Sequence, residues 1–260
     1  MTTSKNLLDS LKKFLKISLK LILPFIALGL LYLITLFCPQ PFYKYKVTLG
    51  KITIYSDKPL PTHATKELIK RVETKIKKSE LYKPETLHRV YLTSNPTRWR
   101  YFTNINYKVG GLNYVVFNHS IFLRKVDVQS NRLFGPSGKK VPGYRTLDYF
   151  IAHEITHTLE FESMPFYKYP IQTNWTLEGY ADYIAHDSED YSTCLKTYLT
   201  YPETTGAKYY TRNRTLVAYL LEEKQLAISK LWSEVDMYDV ILKEAIPEDK
   251  PKIDDEVYKW

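Results

Sequence analysis

The sequence predicts an α+β fold, in which one transmembrane helix precedes a mixed N-terminal sheet and a mainly helical C-terminal part. Three observations support this prediction. Residues 21–38 form an apolar run without charge. Short runs of β-branched and aromatic residues concentrate before residue 125. After residue 146, apolar residues recur at helical spacing.

The apolar run is near the minimum length for crossing a bilayer as a helix. Five lysines precede it, at positions 5, 12, 13, 16 and 20, and positive charge favours a cytoplasmic N-terminus. A cleaved signal peptide is the alternative, but its apolar region is usually shorter and no small-x-small site follows here. We therefore predict a basic cytoplasmic tail at 1–20, a signal anchor at 21–38 and an extracytoplasmic domain at 42–260, periplasmic or at the cell surface in a bacterium.

The first part of the domain has the pattern of a small sheet with one helix. Residues 45–56 alternate around a Gly-Lys break and predict a hairpin or a bulge. The run Thr65–Lys78 is amphipathic and predicts a helix. A short strand is expected at His88–Thr93, and Gly111–Lys125 predicts either a strand pair or one bent strand. Residues 129–144 are rich in glycine and proline, which indicates a loop leading into the next helix.

Composition limits the partners and the covalent constraints. The chain has a net charge of +9, of which residues 41–260 contribute +5 from 32 basic and 27 acidic side chains. This excess favours anionic surfaces, but no long basic run or nucleic-acid signature accompanies it, so we expect no nucleic-acid partner. The chain has two cysteines, Cys38 and Cys194, and only Cys194 lies in the domain, so the domain has no internal disulfide framework. A domain of this size buries a single core, or two lobes that flank a cleft.

Residues 153–157 read His-Glu-Ile-Thr-His, within a stretch that has a helical apolar stripe and Thr146 as its expected N-cap. On a helix, His153 and His157 lie one turn apart on the same face and can bind one cation. Glu154 is then placed to take a proton from a water held by that cation. The alternative is a chance match, with one core histidine and one capping histidine.

A catalytic zinc site usually has three protein ligands and one open position. The pattern H-E-x-x-H-x-x-G-x-x-H does not continue here, because Glu160 and Ser163 stand where its glycine and last histidine would be. Glu178, on a second predicted helix that Thr173 or Asn174 caps, is the remaining candidate for third ligand. Asp182 follows one turn later and is predicted to orient a ligand histidine. A solvated acidic face is the alternative for both carboxylates.

The motif H-E-I-T-H, followed about twenty residues later by W-T-L-E-G-Y-A-D-Y, resembles the gluzincin group of zinc metallopeptidases. This group includes thermolysin-like proteases and aminopeptidase-like enzymes. The likeness covers residues 146–183, and the short spacing is most similar to reduced gluzincins that keep little beyond the catalytic domain. No G-x-M-x-N signature precedes the metal helix, so the resemblance does not support action on a free N-terminus.

The resemblance implies a zincin-like catalytic domain that hydrolyses peptide or protein substrates. In it, His153, His157 and Glu178 would bind one zinc ion per chain, Glu154 would be general base and then general acid, and Asp182 would orient a ligand histidine. Gluzincins also place an edge strand beside the metal helix, where it pairs with the substrate backbone. Asn113–Leu123 is the expected position of this strand, with an ordinary core strand as the alternative.

Hydrolysis of this kind needs a donor for the developing oxyanion. In related enzymes a tyrosine or histidine often supplies it. Tyr210, next to Tyr209 and just before a helix expected to begin near Thr215, is the candidate. Arg212 and Arg214 are further candidates, as donors or as a grip on an acidic substrate group.

Two other functions compete with a peptidase. The chain can be a zinc hydrolase that acts on a non-protein envelope amide. It can also be a non-catalytic binding protein with a vestigial metal site, although such a site has no need of Glu154.

Overall fold

The computed structural model describes residues 2–116, 119–141, 143, 145–200, 206–232 and 237–246. The chain divides into two units, Met1–Phe42 and Tyr43–Trp260. The second unit contains both the sheet and the remaining helices. The predicted α+β class, with an apolar helix at the N-terminus, is thereby confirmed.

The first unit consists of helix α1 (Thr2–Phe37) and a short 3-10 turn (Gln40–Phe42). Within α1, Ser18–Phe37 is long and apolar enough to cross a membrane. A signal sequence can meet the same criteria of length and composition, so this helix alone does not distinguish a signal anchor from a cleaved signal peptide. The helix continues into the basic N-terminal segment. The composition therefore changes at residue 20, but the backbone conformation does not.

The second unit begins with a five-stranded mixed sheet, ordered β1-β2-β3-β5-β4. Its strands are β1 (Tyr45–Leu49), β2 (Ile52–Ser56), β3 (His88–Leu92), β4 (Gly111–Tyr114) and β5 (Ser120–Leu123). The three central strands are parallel, and both edge strands run antiparallel to their neighbours. The predicted hairpin at 45–56 is confirmed, with Gly50 at φ +56° in its turn, and residues 111–125 form a strand pair whose first strand lies at the sheet edge.

Helices α2 (Thr62–Ile76) and α4 (Leu147–Ser163) contribute to the same apolar core as the sheet. From α4, Ile151, Ile155 and Leu159 are fully buried in this core. Other faces of α4 are buried as well, since Thr156, Thr158 and Glu160 are also inaccessible to solvent. The helix is therefore enclosed rather than amphipathic, and its polar groups need partners inside the protein.

The start of α4 differs from the prediction. Thr146 occupies the N-cap position, but its side chain makes no capping hydrogen bond. Asn131 takes this role instead: its side-chain oxygen accepts from the backbone N–H of Asp148 at 3.1 Å, and its amide nitrogen donates to the Asp148 carboxylate. Asn131 belongs to the predicted loop 129–144, which also contains the short strand β7 (Arg132–Leu133); β7 pairs with β6 (Val126–Asp127), which lies just before the loop.

The C-terminal half is helical and builds a second core. Its helices are α5 (Asn174–Ala185), α6 (Tyr191–Thr200), α7 (Gly206–Ala218), α8 (Ile228–Leu231) and α9 (Tyr238–Ala245). The expected capping of α5 by Thr173 or Asn174 is wrong in detail, because Thr173 stands at the N-cap without a capping hydrogen bond. The contact of α5 with α7 is close: a Cβ on Gly179 would lie 2.6 Å from the carbonyl oxygen of Asn213. Two cores thus flank the region between α4 and α5.

Three helices depart from the sequence analysis. Helix α7 begins at Gly206 and not near Thr215, so Tyr210 lies inside it rather than before it. Helix α3 (Pro96–Thr103), which Asn95 caps, and helix α6 were not predicted. Both are short, and their apolar residues make no long periodic stripe.

The first residue of β3, His88, is buried in the sheet core. This burial, with a smaller contribution from His119, lowers the pKa of His88 from 6.5 to about 4. Neither ring nitrogen has a hydrogen-bond partner among the described residues. The folded domain therefore keeps His88 neutral, whereas the unfolded chain protonates it below about pH 6.5. The stability that depends on neutral His88 is present above pH 6.5 and is lost as the pH falls through 4.

We therefore expect His88→Leu to reduce the acid sensitivity of the fold. Between pH 7 and pH 4.5, proton binding at this one site lowers the wild-type free energy of unfolding by about 2.5 kcal/mol. Urea unfolding of both proteins in detergent at the two pH values measures the difference. Equal losses in the wild type and the variant would contradict this assignment.

Candidate functional site

Packing of α4 on α5 brings the three predicted ligands together. His153 and His157 lie one turn apart on α4, and Glu178 faces them from α5. The Nε2 atom of His153 is 3.2 Å from Glu178 Oε2, and Nε2 of His157 is 3.8 Å from Glu178 Oε1. One ligand atom from each residue lies within 4.8 Å of the other two. The three residues that were inferred from separate motifs form one cluster.

This cluster fits a metal ion by its donor types and its environment. Two imidazole nitrogens and one carboxylate are a ligand set of catalytic zinc sites, in which ligand atoms lie roughly 3.3 Å apart. Burial raises the pKa of Glu178, but its hydrogen bond with His153 and the nearby His157 lower it below the ordinary value. The charged carboxylate that a cation requires is therefore favoured. His153 Nδ1 is also buried without a hydrogen-bond partner among the described residues.

Glu154 lies beside the cluster, where α4 passes β4. Its carboxylate contacts the backbone at Gly111 so closely that a Cβ there would lie 2.7 Å from Glu154 Oε1. The side chain of Asn113, two residues along the strand, donates to the carbonyl of Glu154 and to Thr158 Oγ1. Burial raises the pKa of Glu154, and the two histidines oppose this effect. Strand β4 therefore holds the predicted proton acceptor in place, and a larger residue at position 111 would have to displace the side chains of Glu154 and Leu123.

The partner of His157 was missed by the sequence analysis. Glu160, fully buried one turn further along α4, lies 2.8 Å from His157 Nδ1 through its Oε2 atom. Burial opposes charge on His157, but the carboxylates of Glu160, Glu178 and Glu154 raise its pKa to about 10. Burial also raises the pKa of Glu160, to about 7. A carboxylate at Nδ1 directs Nε2 of the same ring towards Glu178, which is the arrangement that orients a metal-binding histidine.

Asp182 is buried one turn after Glu178, but its hydrogen bond is to a different group. The hydroxyl of Tyr149 donates to Asp182 Oδ1. Arg214 of α7 lies 3.7 Å from Oδ2, and His186 lies 4.0 Å from the same oxygen. Burial tends to raise the pKa of Asp182, but His186 and Arg214 lower it. The role predicted for Asp182 towards a ligand histidine stays a prediction, since its described contacts join α4, α5 and α7.

Tyr210 reaches the cluster from α7. Its ring centroid is 6.0 Å from that of His153. The guanidinium of Arg145 lies over the Tyr210 ring, 4.3 Å from the ring centroid. Burial raises the pKa of Tyr210, and Glu178 contributes to the increase. The phenol therefore stays protonated and can donate a hydrogen bond. Of the other candidates, Arg212 lies 5.5 Å from the ring of Tyr209, and Arg214 pairs with Asp182.

A second tyrosine at the site had no signal in the sequence. Tyr169 lies in a 3-10 turn (Tyr169–Ile171) between α4 and α5. It lines the same cleft as His153, His157 and Glu178, and its pKa is raised by burial and by the neighbouring carboxylates. Its position depends on the loop conformation, and the chain contains 23 tyrosines, so spacing alone could not single it out.

The cluster lies in a cleft of about 1030 Å³. One wall is the edge strand β4 with residues 108–110 before it, and the predicted loop 129–144 contributes several further lining residues. Much of the lining is apolar: Val109, Leu112, Val115, Leu133, Val141, Phe150 and Leu177. A cleft of this size with a few convergent polar groups has the form of a ligand site. The strand that was expected at Asn113–Leu123 is found only in part: Asn113 and Tyr114 belong to the edge strand β4, whereas Ser120–Leu123 form β5, which lies inside the sheet.

No protein-family model matches the sequence, and no curated protein is significantly similar to it. The function is therefore inferred from the chemistry of the site itself.

We expect the two buried carboxylates, Glu160 and Asp182, to contribute differently to zinc binding. Glu160→Gln should weaken zinc affinity about 10- to 100-fold, because His157 loses its carboxylate partner. Asp182→Asn should lower thermal stability more than zinc affinity, because Asp182 is held by Tyr149 and Arg214. Competition with a chromophoric chelator, combined with thermal unfolding, measures both effects. Unchanged affinity in Glu160→Gln together with weak binding in Asp182→Asn would reverse the assignment.

Proposed function

We propose that this chain is a membrane-anchored, zinc-dependent metallopeptidase with a zincin-like domain of the reduced gluzincin type. The observation that supports the proposal is the convergence of His153, His157 and Glu178, with Glu154 beside them, in an open cleft. A structural metal site has four protein ligands and no free position. This cluster has three protein ligands. The carboxylate of Glu154 lies beside them and is not needed to hold the ion.

His153, His157 and Glu178 would hold the zinc ion. Zinc supplies Lewis-acid polarisation of the scissile carbonyl and of a water molecule. Glu154 accepts the proton of the attacking water on a carboxylate oxygen and then delivers it to the nitrogen of the leaving amine. The contacts of β4 with Glu154, through Gly111 and Asn113, keep this carboxylate at the cluster, so the proton transfer needs no movement of the helix.

A peptide is the substrate that best fits the cleft. Strand β4 is an edge strand, so its outer N–H and C=O groups have no partner strand within the described sheet. An extended peptide can add to such an edge through main-chain hydrogen bonds. The apolar lining of the cleft offers space for uncharged side chains, and the phenols of Tyr210 and Tyr169 are donors for an oxyanion.

The cellular placement follows from α1. We infer that Ser18–Phe37 is a signal anchor, with the lysine-rich segment in the cytoplasm and the domain on the other side of the membrane. N-terminal sequencing of the mature chain tests this assignment, because a cleaved signal peptide would leave a new N-terminus after the apolar segment.

Glu154→Gln should abolish hydrolysis and retain zinc. The substitution keeps the shape of the side chain but removes its ability to accept a proton, so kcat should fall about 10²- to 10⁴-fold. His153→Ala should lose both zinc and activity. A digest of a proteome-derived peptide library, with zinc content measured by mass spectrometry, checks both variants. Chelator-sensitive cleavage by Glu154→Gln at the wild-type rate would refute the role of this residue.

The same pair of measurements separates the competing functions. A zinc-loaded wild type that leaves the peptide library intact but releases amines from purified envelope polymers would favour a hydrolase of non-protein amides. A protein that binds zinc and cleaves neither substrate would favour a vestigial site.

Tyr210→Phe and Tyr169→Phe form a matched pair that identifies the oxyanion donor. Removing the donor should lower kcat about 10- to 1000-fold with little change in KM, because the lost hydrogen bond forms in the transition state. We expect Tyr210→Phe to show this loss, since its ring lies against His153. A larger fall in kcat for Tyr169→Phe would transfer the role to Tyr169.

A further inference from the structure

The C-terminal end of α4 is surrounded by exposed apolar side chains. Ten large hydrophobic side chains are exposed in the described part of the second unit. Five of these lie in three segments near this end, and we call them the apolar rim: Leu87, Val116, Phe166, Tyr167 and Ile171. Their exposure ranges from 52% at Leu87 to 74% at Phe166. A concentration of this kind marks an interaction surface rather than random surface composition.

Glu162, in the last turn of α4, shows that the three segments meet. Its carboxylate accepts a hydrogen bond from Thr86 at 3.2 Å and lies 3.4 Å from Nδ1 of His119. Thr86 directly precedes Leu87, and His119 follows Val116 by three positions. The loop that carries the other rim residues leaves α4 immediately after Glu162. All five apolar side chains therefore belong to one end of the domain.

The loop after α4 has an outward and an inward side. Phe166, Tyr167 and Ile171 are exposed, whereas Tyr169 and Pro170 line the cleft. Phe166 and Tyr167 contact each other edge to face, with ring centroids 5.7 Å apart, and no core residue covers them in the described structure. Whatever binds the rim is thus held next to the cleft opening.

The chemistry of the rim matches a lipid bilayer. Aromatic and aliphatic side chains beside lysines, here Lys168 within the loop and Lys83 near Glu162 at 3.5 Å, are typical of segments at the membrane interface. The same chain carries a helix that can span a membrane, and Cys38–Phe42 is the whole connection from that helix to the domain. The net charge of +5 on residues 41–260 adds attraction to anionic headgroups.

We propose that the apolar rim inserts into the headgroup and acyl boundary of the bilayer in which α1 is anchored. The domain then has a second membrane contact, independent of the helix, and its cleft is held close to the lipid surface. This contact does not require the domain to be an enzyme, so it can be tested without a substrate.

The test uses the full chain reconstituted into vesicles of phosphatidylcholine and phosphatidylglycerol. Single cysteines replace Phe166 or Ile171 in a Cys38→Ser background, where Cys194 is buried, and carry the fluorophore NBD. The matched control is Lys70→Cys on α2, whose side chain is 60% exposed. Nitroxide-labelled lipids then quench fluorophores that lie at the bilayer. Two rim positions are used so that the result does not depend on one variant.

We expect quenching at both rim positions to exceed that at the control by about threefold or more. Equal quenching at the rim and at the control would overturn the proposal. A blue shift of NBD emission that depends on protein density and is insensitive to the nitroxide would show that a second copy covers the rim, and would also overturn it. Unchanged thermal unfolding of the labelled chains verifies that the exposed substitutions leave the fold intact.

Discussion

The contact between α4 and α5 is the interaction on which the site depends. Helix α4 gives apolar residues to the sheet core and turns Tyr149, His153 and His157 towards α5. Helix α5 in turn is held by α7, at a separation that only Gly179 permits. The position of Glu178 relative to the two histidines is therefore set by two independent cores. A shift of either core would separate ligand atoms that now lie within 4.8 Å.

Enclosure of α4 also determines the electrostatics of the region. Polar groups on a buried helix lose their hydration, so each one needs a partner or a bound ion. Asp148 is paired with Asn131, Tyr149 with Asp182, and Glu160 with His157. Glu154 and Glu178 remain at the cleft and face the histidines. This arrangement places carboxylate groups where solvent can enter the cleft, which favours a bound cation at that point.

The antiparallel edge strand β4 gives the cleft a free sheet edge along one wall. Because β4 runs against β5 and ends the sheet, its outer edge is available at the side where α4 carries Glu154. The same strand contacts that residue through Gly111 and Asn113. In the proposed function, this one strand would position both the substrate backbone at the sheet edge and the carboxylate that acts on it. The loop after α4 lines part of this cleft with Tyr169 and Pro170 and bears three residues of the apolar rim, Phe166, Tyr167 and Ile171, on its exposed side.

The sequence by itself determined the features that depend on local geometry. A spacing of four residues places His153 and His157 on one helical face in any helix, and alternation around Gly50 specifies a hairpin without reference to the rest of the chain. The association of Glu178 with these histidines was also predictable, because two motifs of known spacing were present together. Tertiary structure decided the contacts that have no local period. The partner of His157 is Glu160, Tyr169 approaches through a loop, and Tyr149 and Arg214 meet Asp182, because two cores close on α4 and α5 from opposite sides. Side-chain periodicity and propensity do not predict this packing, because both describe single elements and not the distances between them.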